Sequence, residues 1–225
     1  MINIGAGIFD VIGPIMVGPS SSHTAGAACI GNIASRICGL ELSKVDFYLH
    51  GSFAKTYEGH GTGKALLGGI LGMSPSDEKI RESESLAREK GISFYYHLVD
   101  LGDVHPNTVK IIMHTKEDSP CEVTGSSVGG GNILITSING MDMQFSARYP
   151  TIITKHLDQP GIVAKVTEIL SNHNINIAFL KVFRQSRGSE ASMVIETDQK
   201  LDPIFIKELE NISGIKKIMF LDIEY

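Results

Sequence analysis

The sequence predicts a mixed α/β (α+β) chain of two domains, residues 1–148 and 149–225. Three observations predict it. The 225 residues exceed the commonest single-domain size, so two modest cores fit better than one large one. Hydrophobic residues at 42% and charged residues at 20% are enough to fill two cores and exclude a disordered chain. Finally, the hydrophobic period of the last third alternates between strand and helix in a βαββαβ order, whereas the first two thirds mix helices and strands less regularly.

The C-terminal elements follow in order. A strand over 151–157 runs into Asp158-Gln159-Pro160-Gly161, where Asp158 is a candidate N-cap and Pro160 suits a first helical turn. Ile162, Val163, Val166, Ile169 and Leu170 then recur at helical spacing, and the helix stops near Asn172 to Asn174. Ile175, Ile177, Phe179, Lys181 and Phe183 alternate at period two, Arg187-Gly188 turns the chain, and Ala191, Met193 and Ile195 return as the second strand of a hairpin. A second helix starts at Asp202-Pro203 with Ile204, Phe205, Leu209 and Ile212 on its apolar face, and a strand over 215–223 closes the domain. This order in about 75 residues is that of a ferredoxin-like sandwich.

In the first domain, residues 20–39 read as a capped helix rich in small residues that ends at Gly39. A strand is expected over 45–49. A polar helix starts at Ser74-Pro75, carries Asp77 and Glu78 in its first turn and ends at Lys90-Gly91, matching the helix dipole at both termini. Further strands are expected over 92–99, 108–115, 121–124, 133–136 and 143–148, separated by Gly, Pro and Asn turns.

The net charge of −5 is spread along the chain, so nothing forms a basic footprint for nucleic acid or an anionic membrane. The N-terminal stretch lacks a basic n-region and already carries Asp10, and no run is apolar for long enough to span a bilayer. A cytoplasmic protein with small-molecule or protein partners is the expectation. Cys29, Cys38 and Cys121 form no CxxC pair and are odd in number, which argues against a disulfide framework, a zinc site or a cysteine-ligated cluster on this chain; Cys29 and Cys38, on a small-residue helical stretch, are expected as inert buried thiols.

Four segments carry chemistry. Gly18-Pro19-Ser20-Ser21-Ser22-His23-Thr24 sets hydroxyls and an imidazole at a helix entrance, where free N–H groups and the dipole favour a carboxylate; the plain alternative is a serine N-cap beside a surface histidine. His50-Gly51-Ser52-Phe53-Ala54-Lys55-Thr56 leads into Glu58-Gly59-His60-Gly61-Thr62-Gly63-Lys64, a glycine-rich stretch that fails the phosphate-loop pattern at Glu58 and Ala65. His60 between two glycines is an accessible imidazole suited to proton transfer near neutrality. Asp103-Val104-His105-Pro106-Asn107-Thr108 could hold a polar substrate, and Gly125-Ser126-Ser127-Val128-Gly129-Gly130-Gly131-Asn132 could wrap one with N–H groups; ordinary turns would use the same residues.

Taken together, GPSSSHT, HGSFAKTYEGHGT, DVHPNT and GSSVGGGN resemble, in that order and over essentially the whole chain, the β chain of iron-sulfur L-serine dehydratases, and HLDQPGIVAKVTEIL resembles the start of an ACT domain, a regulatory amino-acid-binding module. One position departs from the family: its loop usually continues GHGTD, and here Gly63 replaces the aspartate. The resemblance implies conversion of L-serine to pyruvate and ammonia, with a 4Fe-4S cluster held by the cysteines of a partner α subunit and acting as Lewis acid. It implies His60 as base with His105 as second candidate, and substrate binding by Ser20, Ser21, Ser22, His23, Thr24, Thr62, Asn107, Ser127, Gly129 and Gly130. It also implies ACT–ACT pairing with a regulatory ligand, L-serine, near Asp158, Pro160, Gly161, Asn174 and Asn176. The competing readings are a non-enzymatic amino-acid sensor and the regulatory part of a phosphoglycerate dehydrogenase, although no GxGxxG supports a dehydrogenase core.

Overall fold

The computed structural model describes residues 15–39, 41–115, 120–184 and 186–223, so Asp10 and the start of the chain lie outside the described residues. Contacts divide the chain into two compact units, Met1–Gly140 and Met141–Tyr225.

In the first unit Ser20 caps a wide helical turn, Ser21–Ala25, by accepting the N–H of His23 on its Oγ at 3.1 Å. The turn runs into α1 (Gly26–Cys38), which stops at Gly39 with a φ of 89°. There follow β1 (Leu42–Leu49), α2 (Gly51–Thr56), α3 (Thr62–Ile70), a tight turn Glu78–Glu82 capped by Asp77, α4 (Ser83–Glu89), β2 (Ser93–Leu98), β3 (Thr108–Thr115), β4 (Cys121–Gly129) and β5 (Asn132–Ile138). Within this unit the strands run in the order β2-β1-β3-β4-β5; β1 and β2 are parallel, the other neighbours antiparallel. Alternate residues Val45, Phe47, Leu49, Val109, Ile111 and Met113 are buried, as are Ile30, Leu66 and Leu67 of the helices. Small residues let α1 and α3 approach closely: a Cβ on Gly31 would lie 2.2 Å from the Leu66 carbonyl oxygen, and one on Gly69 2.1 Å from that of Ala28.

The stretch read as a glycine-rich loop is therefore two helices joined by a turn at 57–61, because close burial of the glycines outweighs their poor helix propensity. The polar helix is likewise split into a tight turn and the short α4. Cys38 and Cys121, expected as separate thiols, form a disulfide with Cα atoms 5.7 Å apart, since the fold brings the end of α1 to the start of β4 across 83 residues. Cys29 is the free cysteine, half-buried.

The second unit contains β6 (Met141–Phe145), β7 (Thr151–Leu157), α5 (Ile162–Asn172), β8 (Ile177–Arg184), β9 (Glu190–Thr197), α6 (Pro203–Glu210) and β10 (Ile215–Leu221). The antiparallel order β10-β7-β9-β8 is that of the expected ferredoxin-like sandwich, with Ile152, Val166, Leu170, Met193, Ile195 and Leu209 in one core. The unit starts ahead of Tyr149 because β6 lies against β8 and β9, and Ser146 donates to the buried Glu196 from both its N–H and its Oγ (3.2 and 2.6 Å). Asp158 does not cap α5. Gly161 does so with a φ of 91°, while the Asp158 carboxylate accepts from Gly188 N–H (2.9 Å) and Arg184 (3.3 Å), tying the turn to the β8–β9 hairpin. Among the described residues, no helix is long and apolar enough to cross a membrane.

Candidate active site

The four segments singled out in the sequence meet at one end of the first unit's sheet. There β1 is followed by His50, whose N–H donates to the Thr108 carbonyl (3.0 Å). Gly51 follows with a φ of 55°, and a Cβ on it would lie 2.7 Å from the Pro106 oxygen, so only glycine fits this close approach. Ser52 N–H donates to that same Pro106 oxygen (2.8 Å), and Ser127 N–H to the Asn107 carbonyl (3.0 Å). The helix entrance joins them, because Thr24 Oγ1 donates to the His60 carbonyl (3.2 Å) and Ser127 packs against Gly26 so closely that a Cβ there would overlap its Oγ.

At the centre lie two imidazoles. The His23 and His60 rings meet edge to face with centroids 5.0 Å apart. His23 is held at both nitrogens, Nδ1 by Ser20 Oγ (3.1 Å) and Nε2 by Ser52 Oγ (2.8 Å), and leans on Phe53. Burial, and secondarily the neighbouring His60, push the His23 pKa below its ordinary 6.5, so His23 is neutral at neutral pH. Among the described residues, three buried side-chain polar atoms have no partner: His60 Nδ1, Thr62 Oγ1 and Ser127 Oγ. Leaving such an atom unsatisfied costs about 1–3 kcal/mol, which a bound polar ligand can offset.

The remaining expected residues are placed less centrally. His105 is exposed, its Nδ1 accepting from Asn107 N–H (3.1 Å). Gly129 (φ 106°) is the last residue of β4, paired with Asn132, and Gly130 (φ 60°) opens the β4–β5 hairpin turn. Ser21 and Ser22 are half-buried in the helical turn. In the second unit Asp158, Pro160 and Gly161 stand before the start of α5, and Asn174 (φ 55°) and Asn176 beyond its end. An 11-residue helix separates them by about 16 Å, so one small ligand on one chain does not touch both groups. Asn176 is bonded to Asp198 and Gln199. The reading of single residues missed Ser52; the HGS segment that contains it was the available signal.

The donor set does not fit a 4Fe-4S cluster. Cys38 and Cys121 are bonded to each other, burial pushes the lone Cys29 thiol up to about 11, and among the described residues no group of three or more His, Cys, Asp or Glu could hold a metal ion.

Comparison with known proteins extends this picture. The serine dehydratase beta chain family model matches residues 7–93 and the ACT domain model residues 151–214. The probable L-serine dehydratase beta chain of Bacillus subtilis (strain 168) is 42% identical, over 94% of this chain and 96% of its own length. The L-serine dehydratase beta chain of Peptoniphilus asaccharolyticus is also 42% identical, over 86% and 87%. The D-3-phosphoglycerate dehydrogenase of Bacillus subtilis is 30% identical over 88% of this chain, but over only 37% of its own length. Matched nearly end to end by two beta chains but to little more than a third of a dehydrogenase, this chain belongs to the L-serine dehydratase beta-chain family.

Proposed function

We propose that this chain is the β subunit of a cytoplasmic L-serine dehydratase, which converts L-serine to pyruvate and ammonia together with an α subunit that carries the 4Fe-4S cluster. The observation that carries this reading is His60, whose Nδ1 is buried without a partner while its ring lies against the neutral His23. An imidazole with an unsatisfied nitrogen beside a helix entrance can take a proton from a substrate whose carboxylate the entrance holds. In this reading the N–H groups and hydroxyls of Ser20 to Thr24 bind the carboxylate, and Thr62 and Ser127 turn their unpartnered hydroxyls to the substrate. His60 takes the α-proton. The Cα–H electron pair forms the Cα=Cβ double bond as the Cβ–O bond breaks, the hydroxyl leaving as water with the proton that His60 took, and the resulting aminoacrylate takes up water to give pyruvate and ammonia. His105 and Asn107, at the rim, position the substrate, and the Gly129-Gly130 turn closes over it.

The second unit serves regulation. L-serine binds at the Asp158 to Gly161 turn of one copy and the Asn174 to Asn176 end of another, which accounts for the opposite placement of the two groups on α5. The phosphoglycerate dehydrogenase and free-sensor readings lack the partner requirement, and this decides the experiment. The chain is co-purified anaerobically with a cysteine-bearing α chain and assayed for pyruvate from L-serine; the expected result is activity only in the complex, reduced by about 10²–10⁴ in kcat by His60→Ala. Absence of activity in an intact complex with its cluster would overturn the reading. A His60→Ala rate within a few-fold of wild type would move the base elsewhere.

A further inference from the structure

We propose that Ser52 is a positioning residue of this site: with Ser20 it clamps both ring nitrogens of His23 and thereby fixes the edge of that imidazole against His60. Its catalytic consequence rests on the functional reading above. Its geometric part stands on the site alone.

The two clamps are anchored independently. Ser20 Oγ sits at 3.1 Å from His23 Nδ1 and also accepts the backbone N–H of His23 at 3.1 Å, so its place is set by the cap of the helical turn. Ser52 Oγ sits at 2.8 Å from His23 Nε2, and its place is set from the far side of the site. Its N–H is bonded to Pro106 O (2.8 Å) and its carbonyl to Thr56 Oγ1 (2.9 Å). The preceding Gly51 holds a left-handed φ of 55° against the same Pro106 oxygen.

A neutral imidazole offers one donor and one acceptor nitrogen, and a hydroxyl can complement either. Held at one nitrogen, the ring can turn about its terminal torsion, which is broad. Held at both, it keeps one orientation whichever nitrogen carries the proton, because each hydroxyl can turn to donate or to accept. The His60 ring has no such clamp: its backbone is held, the N–H donating to the Thr56 carbonyl (3.0 Å) and the carbonyl accepting from Thr24 Oγ1, but its Nδ1 has no partner and the ring meets the edge of His23. The orientation of the proposed base is thus inherited from His23, and that of His23 from Ser52. This gives the Asp103 to Thr108 loop a task that its exposed side chains do not reveal, since its Pro106 carbonyl fixes Ser52.

The test uses the full-length chain with ¹⁵N-labelled histidine and the α/β complex. Wild type should show a through-space contact between the His23 and His60 rings. Ser52→Ala should remove that contact, and Ser52→Thr, which keeps the hydroxyl, should restore it. In the complex Ser52→Ala should lower kcat by about tenfold with KM within about threefold, again restored by Ser52→Thr. The proposal is overturned if the ring contact survives in Ser52→Ala, or if it is lost and kcat stays unchanged. A wild-type complex that makes no pyruvate would sink the functional reading instead, while the histidine spectra still decide whether Ser52 holds His23.

Discussion

Gly69→Ala tests how the two helices that carry the site are held together. A Cβ on Gly69 would lie 2.1 Å from the Ala28 oxygen and 2.7 Å from the Asn32 nitrogen, against an ordinary carbon–oxygen contact of about 3.3 Å or more. Both neighbours are backbone, so relief requires α1 and α3 to part by about 1 Å. Overpacking a well-filled core costs about 1–3 kcal/mol, and the rigid neighbours place this case at the upper end. Alanine's better helix propensity returns about 1 kcal/mol. The net loss is about 2 kcal/mol, or about 6 °C in Tm at about 3 °C per kcal/mol for a domain of this size. Because the Ser20 to Ala25 turn feeds α1 and Thr62 opens α3, parting the helices also pulls His23 from His60, and kcat should fall by at least about tenfold. Urea and thermal unfolding of the full chain, with kinetics of the reconstituted complex, measure both. Gly59→Ala is the control, since nothing lies within 4 Å of a Cβ there, and it should change stability by no more than about 0.5 kcal/mol. A Gly69→Ala chain as stable as that control would refute the idea that glycine sets the helix separation.

Three further outcomes are expected. A Cβ on Gly63 would sit 3.0 Å from the Tyr96 ring, whose hydroxyl donates to the Gly63 carbonyl at 2.9 Å; Gly63→Asp should therefore destabilise by about 1–3 kcal/mol, and urea midpoints of Gly63→Asp/Tyr96→Ala should show less than the sum of the single losses. His156 is buried, and burial, only partly opposed by Asp158, lowers its pKa from 6.5. The folded state then prefers the neutral ring while the unfolded chain takes a proton, so stability is full above about pH 6.5 and falls as the pH drops toward the folded-state pKa; His156→Gln should flatten part of that decline between pH 7.5 and 5.5, His23 supplying the rest. Alkylation without reductant should leave Cys38 and Cys121 unlabelled, and reduction of this 83-residue link should cost roughly 4 kcal/mol; three thiols reacting without reductant would contradict it.

How much of this was legible depended on whether the deciding interaction is local. The ferredoxin-like half was readable because Pro160-Gly161 and Asp202-Pro203 punctuate its helices and β8 alternates at period two. Even there β9 misleads: Ser192 and Glu196 look solvent-facing beside Met193 and Ile195, yet both are buried, because β6 lies against the strand and Ser146 satisfies Glu196. Helix α3 was illegible for the same reason on a larger scale: Gly63 belonged to a glycine-rich stretch and no element was expected over 65–70, because the contacts of Tyr96, Ile80 and Ala28 against Gly63, Gly68 and Gly69 are long-range. In the site, residue type was enough to single out His60, Thr62 and Ser127, but not to show that each leaves a buried atom unpartnered. Nor could spacing join Ser52 to His23, 29 residues apart, for that bond exists only because Pro106 fixes the Gly51-Ser52 backbone. Local signals thus name the chemical groups, and the long-range contacts decide which of them are left unsatisfied and hence available to a ligand. A stretch can therefore look like a plain turn by propensity and still hold the reacting group: His60 occupies the turn at 57–61, and what distinguishes it is the unmatched Nδ1 beneath that turn rather than the glycines on either side.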